Sequence, residues 1–475
     1  MVMKRLSVLA MAMIVMASCA KENIQPNNEP SGEKALLEIG LASTKTQLGE
    51  EDKVNKLFPI VWSDGDEIAV IENMGIEGKQ NVSVYRLKEG AGTANGVFEH
   101  VSGDAFPKVI TDVVYPASAV MPKGTLISEI PIVDVSSLVP KDQTQSYEEG
   151  NFDKNAAVMY FHRNNPADKI VLEPLSSIIC IPIKGFDDND VVTAVKWQNM
   201  DDRTATVTLN CPNGVKLSKG QATNFYLSIQ PMLKDCNGIA YVYLKNGAIQ
   251  VKTPRNLKAF KAGTLHRFPE WTLSKKAKWT ILSIGSERDA TTWEQVPLGP
   301  AQYMIDGNDL SWWESRRKPK SDNSGPQMAG PHTVVIDLGS VQNIKGIKIK
   351  SKECKGSPKY DIKLNDGSDV LGKQSYNPPH TFHIGFTANV PSEAAINAFT
   401  KNKTWPTGMK YTTFKSETAK GIDYYYGADK KTWWDNEITP SISARYVFIH
   451  FQYAWNNDGK GTAAPFEKIA ELDIY

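Results

Sequence analysis

The feature that most constrains this chain is a succession of short apolar or alternating runs, each closed by Gly, Asn, Asp or Pro. Ile68-Ala69-Val70-Ile71 follows the turn Ser63-Asp64-Gly65-Asp66, and 81–87 (NVSVYRL) alternates polar with apolar residues. The alternation continues at 109–114. Residues 178–183 (IICIPI) form an apolar run, 205–209 (ATVTL) alternates again, and 239–244 (IAYVYL) meets the hairpin turn Asn246-Gly247. Runs of this length with period two predict strands, and their number with almost no helical periodicity predicts an all-β protein of stacked sandwiches. Hydrophobic residues make up 41% of the 475-residue chain and charged ones 23%, enough apolar mass for several cores. The formal net charge of +1 argues against a nucleic-acid binder, which needs an excess of positive charge against phosphates. Seven His and five Cys leave little material for a metalloenzyme or a disulfide scaffold.

The N-terminus carries an export signal over 1–18. Lys4 and Arg5 precede a short apolar run, 6–16, and the small residues Ala17 and Ser18 follow. The run is too short to span a bilayer. Met16-Ala17-Ser18-Cys19 resembles the bacterial lipobox, which implies cleavage before Cys19 and lipidation of that residue; a plain secretory signal is the alternative. Acyl chains contribute roughly 0.8 kcal/mol per buried CH₂, so several on one Cys anchor stably. Residues 19–34 are polar, contain Pro and Gly, lack periodicity and read as a tether. The expectation is an outer-membrane, lipid-anchored protein that faces the cell surface. No later segment is apolar for the length of a membrane span.

Residues 46–70 (TQLGEEDKVNKLFPIVWSDGDEIAV) contain Trp62, Gly65, Asp66, Ile68 and Val70 in the order W-x-x-G-D-x-I-x-V. Tyr115-Pro116-Ala117-Ser118 and the segment 145–159 supply two further patterns, and 258–273 a closing strand pair. Together they resemble the fimbrillin-like (type V pilin) lipoproteins of Bacteroidetes. The resemblance implies two β-sandwich lobes, expected over 35–150 and 151–275, and a surface or pilus role without catalysis. Independently of it, Gly65 suits a positive φ in the turn, and Trp62 has a large face to bury.

Composition shifts near 276. Eight of the eleven Trp lie beyond that point, and Ser274-Lys275-Lys276-Ala277-Lys278 reads as a charged linker. In 276–475, five patterns occur in order: 301–315 (AQYMIDGNDLSWWES), Val334 to Gly339, Ile347 to Lys350, Ala444 to Ile449, and Glu471 to Tyr475. They resemble the F5/8 type C, or discoidin-like, domains with a galactose-binding-like jelly roll. The resemblance implies an eight-stranded jelly roll and a carbohydrate-binding role.

Asp306-Gly307-Asn308-Asp309-Leu310-Ser311 packs oxygen donors around a Gly, as a hard cation such as Ca²⁺ requires. The resemblance carries a structural Ca²⁺ onto Asp306, Ser311 and Glu471, with Asn308 or Asp309; an Asx-turn without an ion is the other reading. Sugars need an aromatic face and a few planar polar groups. The carbohydrate-binding candidates are Trp455, in the aromatic and amide-rich stretch 453–459, with Asn456, Trp312, Trp434 and Arg316. Trp313 is expected in the core, and a solvated charged face is the other reading for Arg316. Between Tyr376 and Lys420 the chain departs from the compact domain pattern. Residues 391–399 read as a short helix with Ser392 as N-cap, followed by Trp405, Tyr411 and Phe414, an insertion that builds or blocks a binding face.

No G-x-S-x-G, H-E-x-x-H or Walker A pattern is present, and no paired acids stand in a glycosidase context. His380 and His383 are spaced i, i+3 without a helix to align them. Cys211 and Cys236 form either a disulfide or two buried thiols. The expected function is a non-catalytic surface lipoprotein that binds host or dietary glycans through its C-terminal domain and mediates adhesion. The alternative is a pilus subunit, at the tip, that assembles with other pilus subunits.

Overall fold

The computed structural model describes residues 35–41, 61–105, 110–120, 135–145, 153–165, 168–199, 201–202, 205–232, 234–252, 257–259, 261–285, 298–299, 301–307, 312–314, 332–351, 379–415, 434–455, 463–464 and 468–475. The chain is all-β, as the runs and turns predict, and its strands fall into three bodies.

The first body contains β1 (Leu36–Leu41), β2 (Glu67–Glu72), β3 (Asn81–Glu89), β4 (Asn95–Ser102), β5 (Asp112–Tyr115), β7 (Met159–His162) and β8 (Val171–Pro174). They pair in the order β1-β4-β3-β2-β5-β7-β8, and β8 returns to β1 in parallel, closing a barrel. Ile68 and Val70 point into this barrel with Trp62 and Phe98, whereas Ala69 and Ile71 pack outward beneath 3-10 turns at Ala117–Val120 and Val135–Leu138. Burial on both faces is why that run reads as continuously apolar. The turn before β2 behaves as its residues require: Gly65 has φ 80°, and the buried Asp66 accepts the Ser63 N–H at 2.8 Å through Oδ2. Trp62 meets Phe98 edge-on at 4.8 Å and Tyr115 at 5.4 Å, and the Tyr115 hydroxyl donates to Asp66 Oδ1 at 3.1 Å. The two motifs around 62–70 and 115–118 therefore meet at one buried hydrogen bond.

The second body is a sandwich. One sheet has the order β14-β13-β10-β11-β6 and uses β6 (Asp142–Thr144), β10 (Val191–Asn199), β11 (Thr206–Lys216), β13 (Gly238–Leu244) and β14 (Ile249–Lys252). The other pairs β12 (Thr223–Ile229), β9 (Ser177–Lys184), β15 (Leu265–Arg267) and β16 (Trp271–Thr272). Ile179, Ile181, Val195, Trp197, Phe225 and Trp271 fill the space between them. A division at 150 is therefore not where the sheets divide. β6 belongs to the second body, where the buried Gln143 bonds both Ser228 O and Ser228 N across the sandwich, while β7 and β8 complete the barrel. Cys180, Cys211 and Cys236 are buried free thiols, which resolves the pairing alternative for Cys211 and Cys236. Burial pushes both of those thiols up to about 12, so neither is a thiolate at neutral pH.

The third body contains β17 (Thr280–Ile284), β18 (Leu298–Gly299), β19 (Trp312–Glu314), β20 (His332–Ser351), β21 (Pro379–Thr387), β22 (Tyr411–Lys415), β23 (Trp434–Trp455), β24 (Ala463–Ala464) and β25 (Lys468–Ile474), and, among the described residues, the α-helix α1 (Glu393–Asn402). β20 and β23 pair over almost their whole lengths. Between Asp337 and Gln342 the β20 side advances five residues while β23 advances two, from Tyr446 to Ala444. Gly339 sits in this bulge at φ 79°, and Arg445 clamps Asp337 with two bonds of 2.7 and 2.8 Å. Here the ribbon folds back on itself. Trp313 pairs with Ile469, which pairs with Ser351 at the end of β20; yet the Trp313 ring lies 6.0 Å from Phe451, which pairs with His332 at the start of β20. The two halves thus form two layers around a common core of Ile336, Ile349, Val447, Ile449 and Leu472.

Candidate functional site

The fold-back decides where the sequence candidates lie. Trp434 opens β23 and Trp455 closes it, so both strand ends come to one end of the third body, and Trp312, at the start of β19, shares it. The bend between Asp337 and Gln342 lies against the second body. There Asp337, Gly339 and Arg445 face Asp190, Asn246 and Lys278 across a cleft of about 480 Å³. The three Trp are placed here by backbone only; Cys19, Asn456 and Arg316 lie outside the described residues. Trp313 is fully buried, as expected of a core residue.

The loop expected to hold calcium sits at the junction with the second body. Gly307 adopts φ 83°, the sharp turn its residue type suggests, and Asp306 is buried. The Asp306 carbonyl accepts the Val251 N–H at 3.2 Å, while Tyr303 stacks on Tyr241 at 6.2 Å. Burial raises the Tyr303 hydroxyl pKa far above its ordinary range. Glu471, the ligand expected from the last strand, is engaged by a lysine on one of its oxygens. Its Oε1 accepts a hydrogen bond from the Lys276 ammonium, which also donates to Leu472 O at 2.6 Å. A divalent ion on that carboxylate would stand against a buried positive charge. Asn308, Asp309 and Ser311 lie outside the described residues, and among the described residues no group of three or more His, Cys, Asp and Glu is placed to hold a metal.

The insertion builds a shelf that the sequence signalled only in part. Ser392 caps α1 as expected, its Oγ accepting the Ala395 N–H at 3.2 Å, and Phe399 anchors the helix on the outer face of the sheet. The chain then lays Trp405 flat over Gly385, where a Cβ would stand 2.7 Å from Trp405 Cζ3. Tyr411 stacks on Trp405 at 4.5 Å with 17° between planes and remains 50% exposed. His383 meets the Tyr411 ring at 5.4 Å; its Nδ1 shares a hydrogen bond with Thr413 Oγ1 at 2.8 Å and its Nε2 one with Gln452 Oε1 at 3.2 Å. His450 pairs across the strand with His383, their rings 5.3 Å apart, and both its ring nitrogens are buried without a hydrogen-bond partner among the described residues. Burial, then the neighbouring His383, Lys403 and His332, lowers its pKa to about 4.

The signal for these histidines was strand register, not chain spacing. His380 and His383 lie in β21, where an i, i+3 interval does not make a pair, whereas His383 and His450 are directly opposed.

No family model and no curated protein matches this chain. Solved structures similar to it include the C-terminal domain of a chitobiase from Bacteroides fragilis, at 19% identity, covering 42% of this chain and 95% of that one, with a TM-score of 0.26. Another is the family 32 carbohydrate-binding module of Clostridium perfringens NanJ in complex with galactose, at 15% identity, with 42% and 95% covered and a TM-score of 0.24. A third is the lectin domain of lectinolysin complexed with Lewis B antigen, at 13% identity, with 42% and 90% covered and a TM-score of 0.20.

Proposed function

We propose that this chain is a non-catalytic, lipid-anchored surface protein whose third body binds glycans and mediates adhesion. The observation that carries the proposal is the fold-back of the β20–β23 ribbon. It draws the two ends of β23, which carry Trp434 and Trp455, toward the start of β19, which carries Trp312. The fimbrillin-like pattern of the first two bodies and the lipobox at Cys19 support the stalk and the anchor. A calcium ion in the loop Asp306 to Ser311 belongs to the same proposal, on Asp306 and residues 308, 309 and 311 only. Open sites of this kind bind weakly. Each hydroxyl exchanged from water to protein yields about 0.5–1.5 kcal/mol, and one stacked ring adds a similar amount, so Kd values of roughly 0.1–1 mM are expected.

Calorimetric titration of the chain from residue 20 onward, with galactose and Lewis B oligosaccharide as first probes, tests the reading. Binding that falls at least tenfold in Trp455→Ala supports it. No heat with these or with mucin-type glycans, together with tight binding to a pilus subunit, favours the assembly role instead. Cys19→Ala should release the protein from the membrane fraction; if it stays bound, the anchor lies elsewhere.

A further inference from the structure

We infer that the outer-face shelf of the third body is a second glycan site, separate from the tryptophan end, and that it takes a saccharide carrying carboxylate or sulfate. The inference extends the glycan-binding reading above but rests on different residues.

Three observations carry it. The first is a presented aromatic face. Tyr411 is held by the Trp405 ring beneath it and by the edge of His383, yet half of its surface is open. A ring held in place before binding loses little freedom when a pyranose stacks on it. The second is polar placement. Thr413 is exposed beside that ring, and its hydroxyl is oriented by His383, which Gln452 holds from the other side. This supplies hydroxyl and imidazole groups next to the stacking face, the combination a sugar needs.

The third observation selects the charge of the ligand. Residues 401–415 contain Lys401, Lys403, Lys410 and Lys415 and no Asp or Glu. The strand segments that form the surface under them, 280–284, 332–336, 379–387 and 446–455, contain no carboxylate either. The helix contributes one, Glu393, in its first turn, at the opposite end from Lys401. Lys401 and Lys410 are exposed. The lowered pKa of His450, to which Lys403 and His383 contribute after burial, reports the same positive surroundings. Among the described residues of the shelf the lysines outnumber the one carboxylate, Glu393, and an aromatic face among them favours an anionic sugar over a neutral one.

Calorimetry on the chain from residue 20 onward, at low and at 0.5 M salt, tests this with trigalacturonate and a heparin-derived tetrasaccharide, and with maltotriose as the neutral control. The expected result is that at least one acidic probe binds tenfold or more tighter than maltotriose and weakens several-fold at high salt. Tyr411→Ala should weaken it at least tenfold, Tyr411→Phe by no more than twofold and Lys410→Gln about threefold, while Trp455→Ala leaves it within twofold. Tyr411 and Lys410 are exposed, and an unchanged melting temperature separates lost binding from lost folding. Failure of both acidic probes to bind, or binding indifferent to Tyr411→Ala in folded protein, overturns the shelf. If neutral glycans then still bind and Trp455→Ala abolishes that binding, the shelf alone has failed and the tryptophan end stands.

Discussion

Lys276 and Glu471 are 195 positions apart and form a buried ion pair, with side-chain exposures of 8% and 3%. Lys276 belongs to the linker between the second and third bodies, and Glu471 to the last strand. The linker is fastened at further points: Lys278 bonds Asp187 at 2.9 Å and Asp190 at 2.5 Å in the second body, and Asn246 Nδ2 donates to Ala277 O at 2.8 Å. The residues that read as a charged linker are thus the joint that fixes the third body on the second. Removing one partner of a buried pair leaves the other charge uncompensated and costs about 3–5 kcal/mol, whereas replacing both with apolar groups of similar volume is near neutral. Lys276→Met should therefore destabilise the third body by about that amount, and Lys276→Met with Glu471→Leu should recover most of the loss. Denaturant unfolding followed by Trp fluorescence checks this; a single variant as stable as the wild type would show that the pair is not held dry.

The calcium proposal now depends on the loop alone. A site that exists only in the folded state stabilises it by RT ln(1 + [L]/Kd), about 2.7 kcal/mol at a hundredfold excess. Chelation should lower the melting temperature, and Asp306→Ala should abolish that response. Glu471→Gln should leave the response intact, because that carboxylate faces an ammonium. A melt indifferent to chelator and Ca²⁺, in protein first shown to be metal-free, removes the ion.

How far the sequence could be read depended on the range of the interaction. Strands and turns follow from local alternation and from single residues such as Gly65, Ser392 and Gly247, whose φ or capping role is set within a few positions. The burial of Trp62 and Trp313 was legible for the same reason, since each stands in a fixed relation to its own strand. The crossing of β6 into the second sandwich was not legible, because Gln143 finds Ser228 at a separation of 85 residues. Nor was the shelf: Trp405 and Tyr411 stood out as aromatics in an insertion, but the seat of Trp405 on Gly385 and the edge contact of Tyr411 with His383 depend on how that insertion folds back. Glu471 suggested a cation ligand by its place in the chain, and only the three-dimensional structure shows Lys276 beside it.

His450 should make stability fall on acidification. Its unfolded pKa is about 6.5, and in the folded protein it drops to about 4, with burial as the largest cause. The neutral form is the one the fold accommodates. Its contribution is fully present above pH 6.5 and is lost as pH falls from about 6.5 through about 4, where the unfolded chain binds the proton and the folded one does not. Carboxylates titrate partly in the same window, so the measurement is the difference between wild type and His450→Phe. The wild type should lose more stability than the variant between pH 7 and pH 4.5; parallel curves would show that His450 protonates freely in the folded state.

Gly385 should be the most sensitive backbone position of the shelf. A Cβ there would stand 2.7 Å from Trp405 Cζ3, 2.8 Å from Met409 Sδ and 3.2 Å from Met409 Cγ. The methionine can yield by changing rotamer. The indole has less room, because Phe399 lies 4.7 Å and Tyr411 4.5 Å from its centre. Gly385→Ala therefore overpacks a filled site, at a cost of about 1–3 kcal/mol, and displaces Trp405 and the Tyr411 ring stacked on it. The expected outcome is a lower melting temperature, a changed near-ultraviolet Trp signal and a loss of acidic-glycan binding comparable to that of Tyr411→Ala. A Gly385→Ala protein with an unaltered melt and Trp spectrum would mean that the indole does not rest on this glycine, and that Tyr411 is held by His383 rather than by the ring beneath it.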